Sequence, residues 1–184
     1  YTNNTTVATA ADIRLGSIAV NQDFPDLQFS GILSNFRFVN GTAVYSGSSI
    51  TVPTSKLTAI TNTKFLVFQS NRFVDNSASG HTVPVSAGSP AVTAFGPFLT
   101  SKVYKPAVNG ASAYFDGNGD YLTAGDSTDY EFGAGDFTIE AWVYASSVDN
   151  PAIVSKFPNG ARQFSLELSR DGNNHARHRA LIYI

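Results

Sequence analysis

Apolar and polar residues alternate one for one along several stretches of this chain, the period of a strand with one buried face. In "FTIEAWVY", Phe137, Ile139, Ala141 and Val143 fall on one side, and Thr138, Glu140, Trp142 and Tyr144 on the other. "FSLELS" sends Phe164, Leu166 and Leu168 one way and Ser165, Glu167 and Ser169 the other. "ILSNFRFVNG" sets Ile32, Ser34, Phe36 and Phe38 against Leu33, Asn35, Arg37 and Val39. "KFLVFQS" is apolar on both sides, which predicts a central strand. β-Branched and aromatic residues fill these runs, and Gly, Asn, Asp, Ser and Pro separate them. No stretch carries ten residues of helical period with caps at its ends. The pattern predicts an all-β, antiparallel protein, and a sandwich is the arrangement in which two such sheets cover each other.

Two stretches interrupt the alternation. "TVPTSKLTAITNT" (residues 51–63) is polar and contains Pro53, which cannot donate to a ladder, so it is a candidate unit boundary. Residues 86–110 carry Pro90, Pro97 and Pro106, with Pro84 just before them. A long structureless loop is uncommon in a compact domain, so this segment is expected to run along a sheet as an edge strand or wrapping arm.

With 184 residues, 42% of them hydrophobic, the chain can bury a substantial core. Only 14% of residues are charged, against about 25% in a typical globular domain, and the net charge is −2. Nucleic acid and anionic membrane both demand a dense basic stripe, which is missing here. The expected partners are neutral: sugars, or other protein. The absence of Cys removes disulfides, thiolate metal sites and thiol nucleophiles. A chain that opens at Tyr1 and holds no Met is expected to be processed or a piece of a longer one. No apolar run approaches the roughly 18 residues that a membrane span needs.

Residues 114–143 concentrate five Asp, two Glu and five Gly. Asp116, Asn118 and Asp120 stand at alternate positions, as at the start of a calcium loop. That loop requires Gly at its sixth position and Glu at its twelfth, and Tyr121 and Ser127 stand there instead. A looser oxygen cage could still draw on Asp116, Asp120, Asp126 or Asp129. The competing reading is turn chemistry: Asp-Gly and Asn-Gly pairs supply positive φ, and Asp126 and Asp129 can accept backbone N–H groups in Asx turns. Turn chemistry is the expectation, with no cofactor.

Glycosidases place two carboxyl groups about 5 to 9.5 Å apart. Here the only glutamates are Glu131, Glu140 and Glu167. Glu140 and Glu167 each stand alone on a strand and could share a cleft only if those strands were neighbours. His81, His175 and His178 are the only imidazoles, and no nucleophile elbow accompanies them. In "HARHR", His175 and His178 are three apart, a spacing that puts them on opposite sides of a strand and argues against a zinc pair. No catalytic residue is assigned. Trp142, Tyr121 and Tyr130 are the candidate aromatic faces for a sugar, against the alternative that Trp142 is wedged under a loop.

"YFDGNGDYLTAGDSTDYEFGAGDFTIEAWVY" (residues 114–144) resembles the early strands of concanavalin A-like, laminin G-like jelly rolls. Residues 15–60, with "FSGILSNFRFVNGTAVY" at their centre, resemble the closing strands of the same kind of domain. The resemblance implies a jelly-roll sandwich read tail first and head second. Either residues 1–60 finish one unit and residues 61–184 begin the next, or a single sandwich is built in permuted order. The tandem array is the expectation, because the chain stops mid-strand at "ALIYI". Such arrays resemble structural and fibre proteins of tailed phages. The resemblance thus implies a non-enzymatic virion protein, extracellular, whose partners are copies of itself, other virion proteins or host glycans. A carbohydrate-binding module of a secreted or cell-surface protein, with or without Ca²⁺, is the alternative. Loops 116–136 and 158–163 are the expected recognition surface.

Overall fold

The computed structural model describes residues 11–18, 27–98, 110–146, 151–157, 164–169 and 179–183. They form eleven strands and, among the described residues, no α-helix. The strands are β1 (Ile13–Leu15), β2 (Ser30–Asn40), β3 (Thr63–Val67), β4 (Val85–Ala87), β5 (Ala91–Thr93) and β6 (Ser112–Asp116). β7 (Tyr121–Ala124), β8 (Phe137–Ala145), β9 (Ala152–Lys156), β10 (Phe164–Ser169) and β11 (Arg179–Tyr183) follow, with one 3-10 turn at Thr128–Tyr130. One sheet runs β11-β10-β9-β1-β7-β4. The other is organised around β2, whose whole length pairs with β8. The opposite edge of β2 is shared end to end, β6 taking Ser30 to Ser34 and β3 taking Phe36 to Val39. All of these pairings are antiparallel, and the protein is an all-β sandwich.

Both sheets take strands from either side of residue 60. β1 lies between β9 and β7, and β2 between β8 and the β6/β3 pair. The expected split into 1–60 and 61–184 is therefore not what the described residues form; they build one two-sheet body in which β1 and β2 complete the later strands. Residues 51–63 are not a boundary but a strap over the outside of the second sheet. Leu57 is buried there, its N–H donating to Asn35 Oδ1 at 2.9 Å. The first part of the arm expected over residues 86–110 does run along sheet edges, β4 joining one sheet through β7 and β5 the other through β6, while residues 99–109 lie outside the described residues.

The core between the sheets is built on phenylalanine. Phe38 packs within 5.9 Å of Tyr130 and of Phe132 and stacks on Phe164 at 6.1 Å, while Phe29 meets Phe115 edge-on at 5.9 Å. The alternation in β8 and β10 is as expected: Phe137, Ile139, Ala141 and Val143 pack on this core, and Phe164, Leu166 and Leu168 belong to it.

β2 departs from strict alternation. Leu33, Phe36 and Phe38 all face the core, so the expected grouping of Ile32 and Ser34 with Phe36 and Phe38 fails. The cause is one extra residue. Between Ser34 and Arg37 the register against β8 shifts, and Asn35 takes φ +50, a left-handed conformation that Asn tolerates better than most residues. Asn35 is fully buried, its N–H donates to Phe68 O and its Nδ2 to Ser34 Oγ at 2.8 Å. β3 is not central either, since among the described residues it pairs with β2 alone. Its residue Leu66 is buried on the outer side because neighbouring loops cover it, Asp75 accepting the Leu66 N–H.

Candidate functional site

Register places two rows of side chains across the outer face of the β2 sheet. Tyr144, Ile32, Tyr114 and Ala91 stand opposite one another on β8, β2, β6 and β5. One pleat further along, the row is Trp142, Ser34, Ser112 and Thr93. Their strand neighbours Leu33, Ala113, Phe115 and Val143 point the other way, into the core. The Pro-rich arm then folds back over this face. Phe98 meets Trp142 edge-on at 5.0 Å, and Phe95 approaches Tyr144 at 6.4 Å.

The result is a hollow of about 280 Å³ whose walls are Trp142, Phe95, Pro97 and Ile32 and whose floor is Ser34 and Ser112. Tyr144 is 66% exposed and Phe95 60% exposed, so the rim is open aromatic surface. No carboxylate, amine, imidazole or guanidinium lines it among the described residues. The two serines differ. Ser34 Oγ donates to Ala111 O at 2.9 Å and accepts from Asn35. Ser112 is buried, and among the described residues its hydroxyl has no hydrogen-bond partner. An unspent buried hydroxyl destabilises a fold unless something else satisfies it.

The other half of the same face carries a buried ion pair. Arg37 and Glu140 are cross-strand partners, and Arg37 Nε donates to Glu140 Oε1 at 2.7 Å. Arg37 Nη1 also donates to Thr58 O at 2.9 Å, and Tyr45 OH to Glu140 Oε2 at 2.6 Å. Burial, followed by the hydrogen bond to Glu140 and its charge, pushes the Tyr45 phenol up to about 12, with Arg37 pulling the other way. Glu140 is thus committed to holding the residue 42–58 strap on the sheet. Glu167 lies on the outer face of the opposite sheet and accepts from Ser165 Oγ at 2.7 Å. The core stands between the two glutamates, and they share no groove.

The four aspartates do not converge on one point. Asp120 is buried and accepts the Asp116 N–H at 2.9 Å, and Asp116 accepts the Asn118 N–H at 2.7 Å. These bonds close a tight turn in which Gly117 and Gly119 take φ +83 and +82. Asp126 pairs with Lys156, a fully buried lysine whose stem runs along the core face and whose Nζ lies 3.3 Å from Asp126 Oδ1. That contact is an ion pair without hydrogen-bond geometry, and Glu131 stands 3.8 Å away on another side. Asp129 gathers Lys64 at 2.9 Å, Ser79 Oγ at 2.6 Å and His81 Nε2 at 3.1 Å. Ser79 bonds the aspartate rather than the histidine, so no nucleophile–base pair forms. Among the described residues no group of three or more His, Cys, Asp or Glu could hold a metal.

Burial raises the Asp129 carboxyl, but Ser79, Lys64 and His81 together outweigh it and hold the group below the ordinary 3.8. A depressed carboxylate contributes stability that is fully present above the ordinary value and lost as pH falls through the folded one. Asp129→Asn is therefore expected to be less stable than the parent at pH 7, and the gap should close below pH 3.8. Urea titrations across that range check this.

The three aromatic candidates are not brought together. Trp142 is in the hollow, half-buried against Phe98. Tyr121 is on the other sheet under the Arg14 guanidinium, 4.5 Å from the ring centroid. Tyr130 must be withdrawn as a ligand face. It is fully buried between Phe38, Phe65 and His81, and burial raises its phenol. Of the expected recognition loops, 116–136 buries Asp120, Tyr130 and Phe132, while 158–163 lies outside the described residues, as do His175 and His178. Sequence reasoning missed Ser112, Phe95 and Pro97, which join Trp142 only through strand register and the fold of the arm. Comparison with protein-family models, curated proteins and solved structures returns no match.

Proposed function

We propose that this chain is a non-enzymatic adhesion module. The sandwich is a rigid scaffold, and the outer face of the β2 sheet makes contact with a neutral partner. The observation that carries the reading is the hollow itself: open aromatic rim, apolar walls, hydroxyl floor and, among the described residues, no carboxylate, imidazole, amine or guanidinium in its lining. Such a surface can hold a ligand but offers no acid–base pair for cleaving one. The separation of Glu140 from Glu167 by the whole core supports the same conclusion. The setting, a fibre or decoration protein of a tailed-phage virion, rests on the resemblance of the two motif blocks to laminin G-like domains.

Binding of the purified chain to immobilised bacterial cell-envelope polysaccharide, with product analysis of the supernatant, tests this. Retention without released oligosaccharide, reduced in Trp142→Ala, is the expected result. Release of shortened chains, or retention that ignores Trp142→Ala, would overturn it.

A further inference from the structure

We infer that the hollow is a subsite for one neutral hexopyranose unit, its C–H face against Trp142 and a ring hydroxyl on Ser112 Oγ. This inference rests on the adhesive reading above and narrows it to one ligand chemistry.

Ser112 is the deciding residue. Its hydroxyl is buried on the floor of an open hollow and, among the described residues, is satisfied by nothing, whereas Ser34 beside it is fully bonded. A hydroxyl both donates and accepts, so Ser112 can serve a sugar hydroxyl in either sense. Trp142 lies two strands away in the same cross-sheet row, roughly 10 Å at about 4.8 Å per strand. A pyranose ring carries apolar C–H groups on one face and hydroxyls around its edge, so it spans that interval with one end stacked and the other hydrogen-bonded. Size points the same way: about 280 Å³ lies at the small end of ligand pockets, enough for a terminal unit rather than a buried chain. Charge selects the class. With no cation in the lining among the described residues, a uronate or sulfated sugar would bury its charge unpaired, which is costly.

The chain has one Trp, so its emission reports on this site alone. The test is fluorescence and calorimetric titration with short oligosaccharides ending in glucose, galactose, mannose or N-acetylglucosamine, beside uronate-ended and sulfated counterparts. At least one neutral series should shift the emission saturably, with the acidic counterparts weaker. Trp142→Ala should weaken binding by about tenfold or more in calorimetry. Ser112→Ala should weaken it by roughly five- to tenfold while its Tm stays level or rises, because the hydroxyl it removes is unspent within the fold. A purely structural serine would give the opposite pair of results.

Equal binding by Ser112→Ala, or preference for acidic sugars, would overturn the assignment. If no saccharide binds while envelope material is still retained through Trp142, the hexose inference fails and the adhesive reading survives. If neither is bound, both fail.

Discussion

Unfolding of Glu140→Ala in urea is expected to take about 3–5 kcal/mol less free energy than unfolding of the parent chain. The side chains of Arg37 and Glu140 are only 6% and 13% exposed, so truncating the glutamate strands a guanidinium beneath the residue 42–58 strap. Arg37 would keep its bond to Thr58 O and lose the counter-charge that Glu140 supplies. Tyr45 gives a second readout. Its phenol, pushed up to about 12 in part by Glu140, should ionise at lower pH in the variant, visible as phenolate absorbance. The double replacement Arg37→Met with Glu140→Leu should recover most of the stability, because the cost lies in the orphaned charge rather than in the missing pair. If the single and double variants were equally unstable, packing of the strap, and not electrostatics, would account for most of the loss.

The second large effect belongs to Asn35. Asn35→Ala is expected to lose about 2–4 kcal/mol, combining roughly 1 kcal/mol for a left-handed non-Asn residue with the buried Leu57 N–H left without an acceptor. Asn35→Gly removes the conformational part and keeps the hydrogen-bond loss, so it should fall between Ala and the parent. Asn35→Asp keeps Oδ1 but buries a charge and turns the donor to Ser34 into an acceptor, and should be the worst of the three. Denaturation midpoints of the three variants give the order directly. An order with Gly below Ala would mean that the left-handed conformation is not what Asn35 provides.

Asn35 also marks the limit of what alternation can reveal. β8 and β10 can be read residue by residue, because nothing interrupts their pleat. In β2 the same reading is right up to Ser34 and then inverts, since one left-handed residue moves every later side chain to the opposite face. Nothing in "SNF" distinguishes a bulge from an ordinary strand position. The all-β class follows from composition and period, whereas the division at residue 60 does not survive, because strand order is set by long-range pairing that no local pattern encodes. The acid-rich stretch is legible as turn chemistry at Asp116 and Asp120, where the partners are a few residues away. Asp126 and Asp129, expected as Asx-turn acceptors, instead pair with Lys156 and Lys64, which are distant in sequence and which no local pattern brings to them. Trp142 is identifiable as an outward aromatic on β8. The serine in its row is not, because "ASAYFD" assigns Ser112 no neighbour until β6 is laid beside β2.

The position of β2 at the centre of its sheet bears on how the protein comes into being. The strand is finished by residue 40, yet its partners β3, β6 and β8 begin at residues 63, 112 and 137. β1 waits longer still, for residues 121–124 and 152–156. During synthesis, therefore, the longest ribbon among the described residues emerges before any of the strands it pairs with, and the edges it offers them stay unpaired until they follow. Assembly must close many large loops before any of them is rewarded, a regime of slow, collective folding. An interrupted or truncated nascent chain would present those apolar edges to its neighbours, and clumping on the ribosome is the hazard this topology carries.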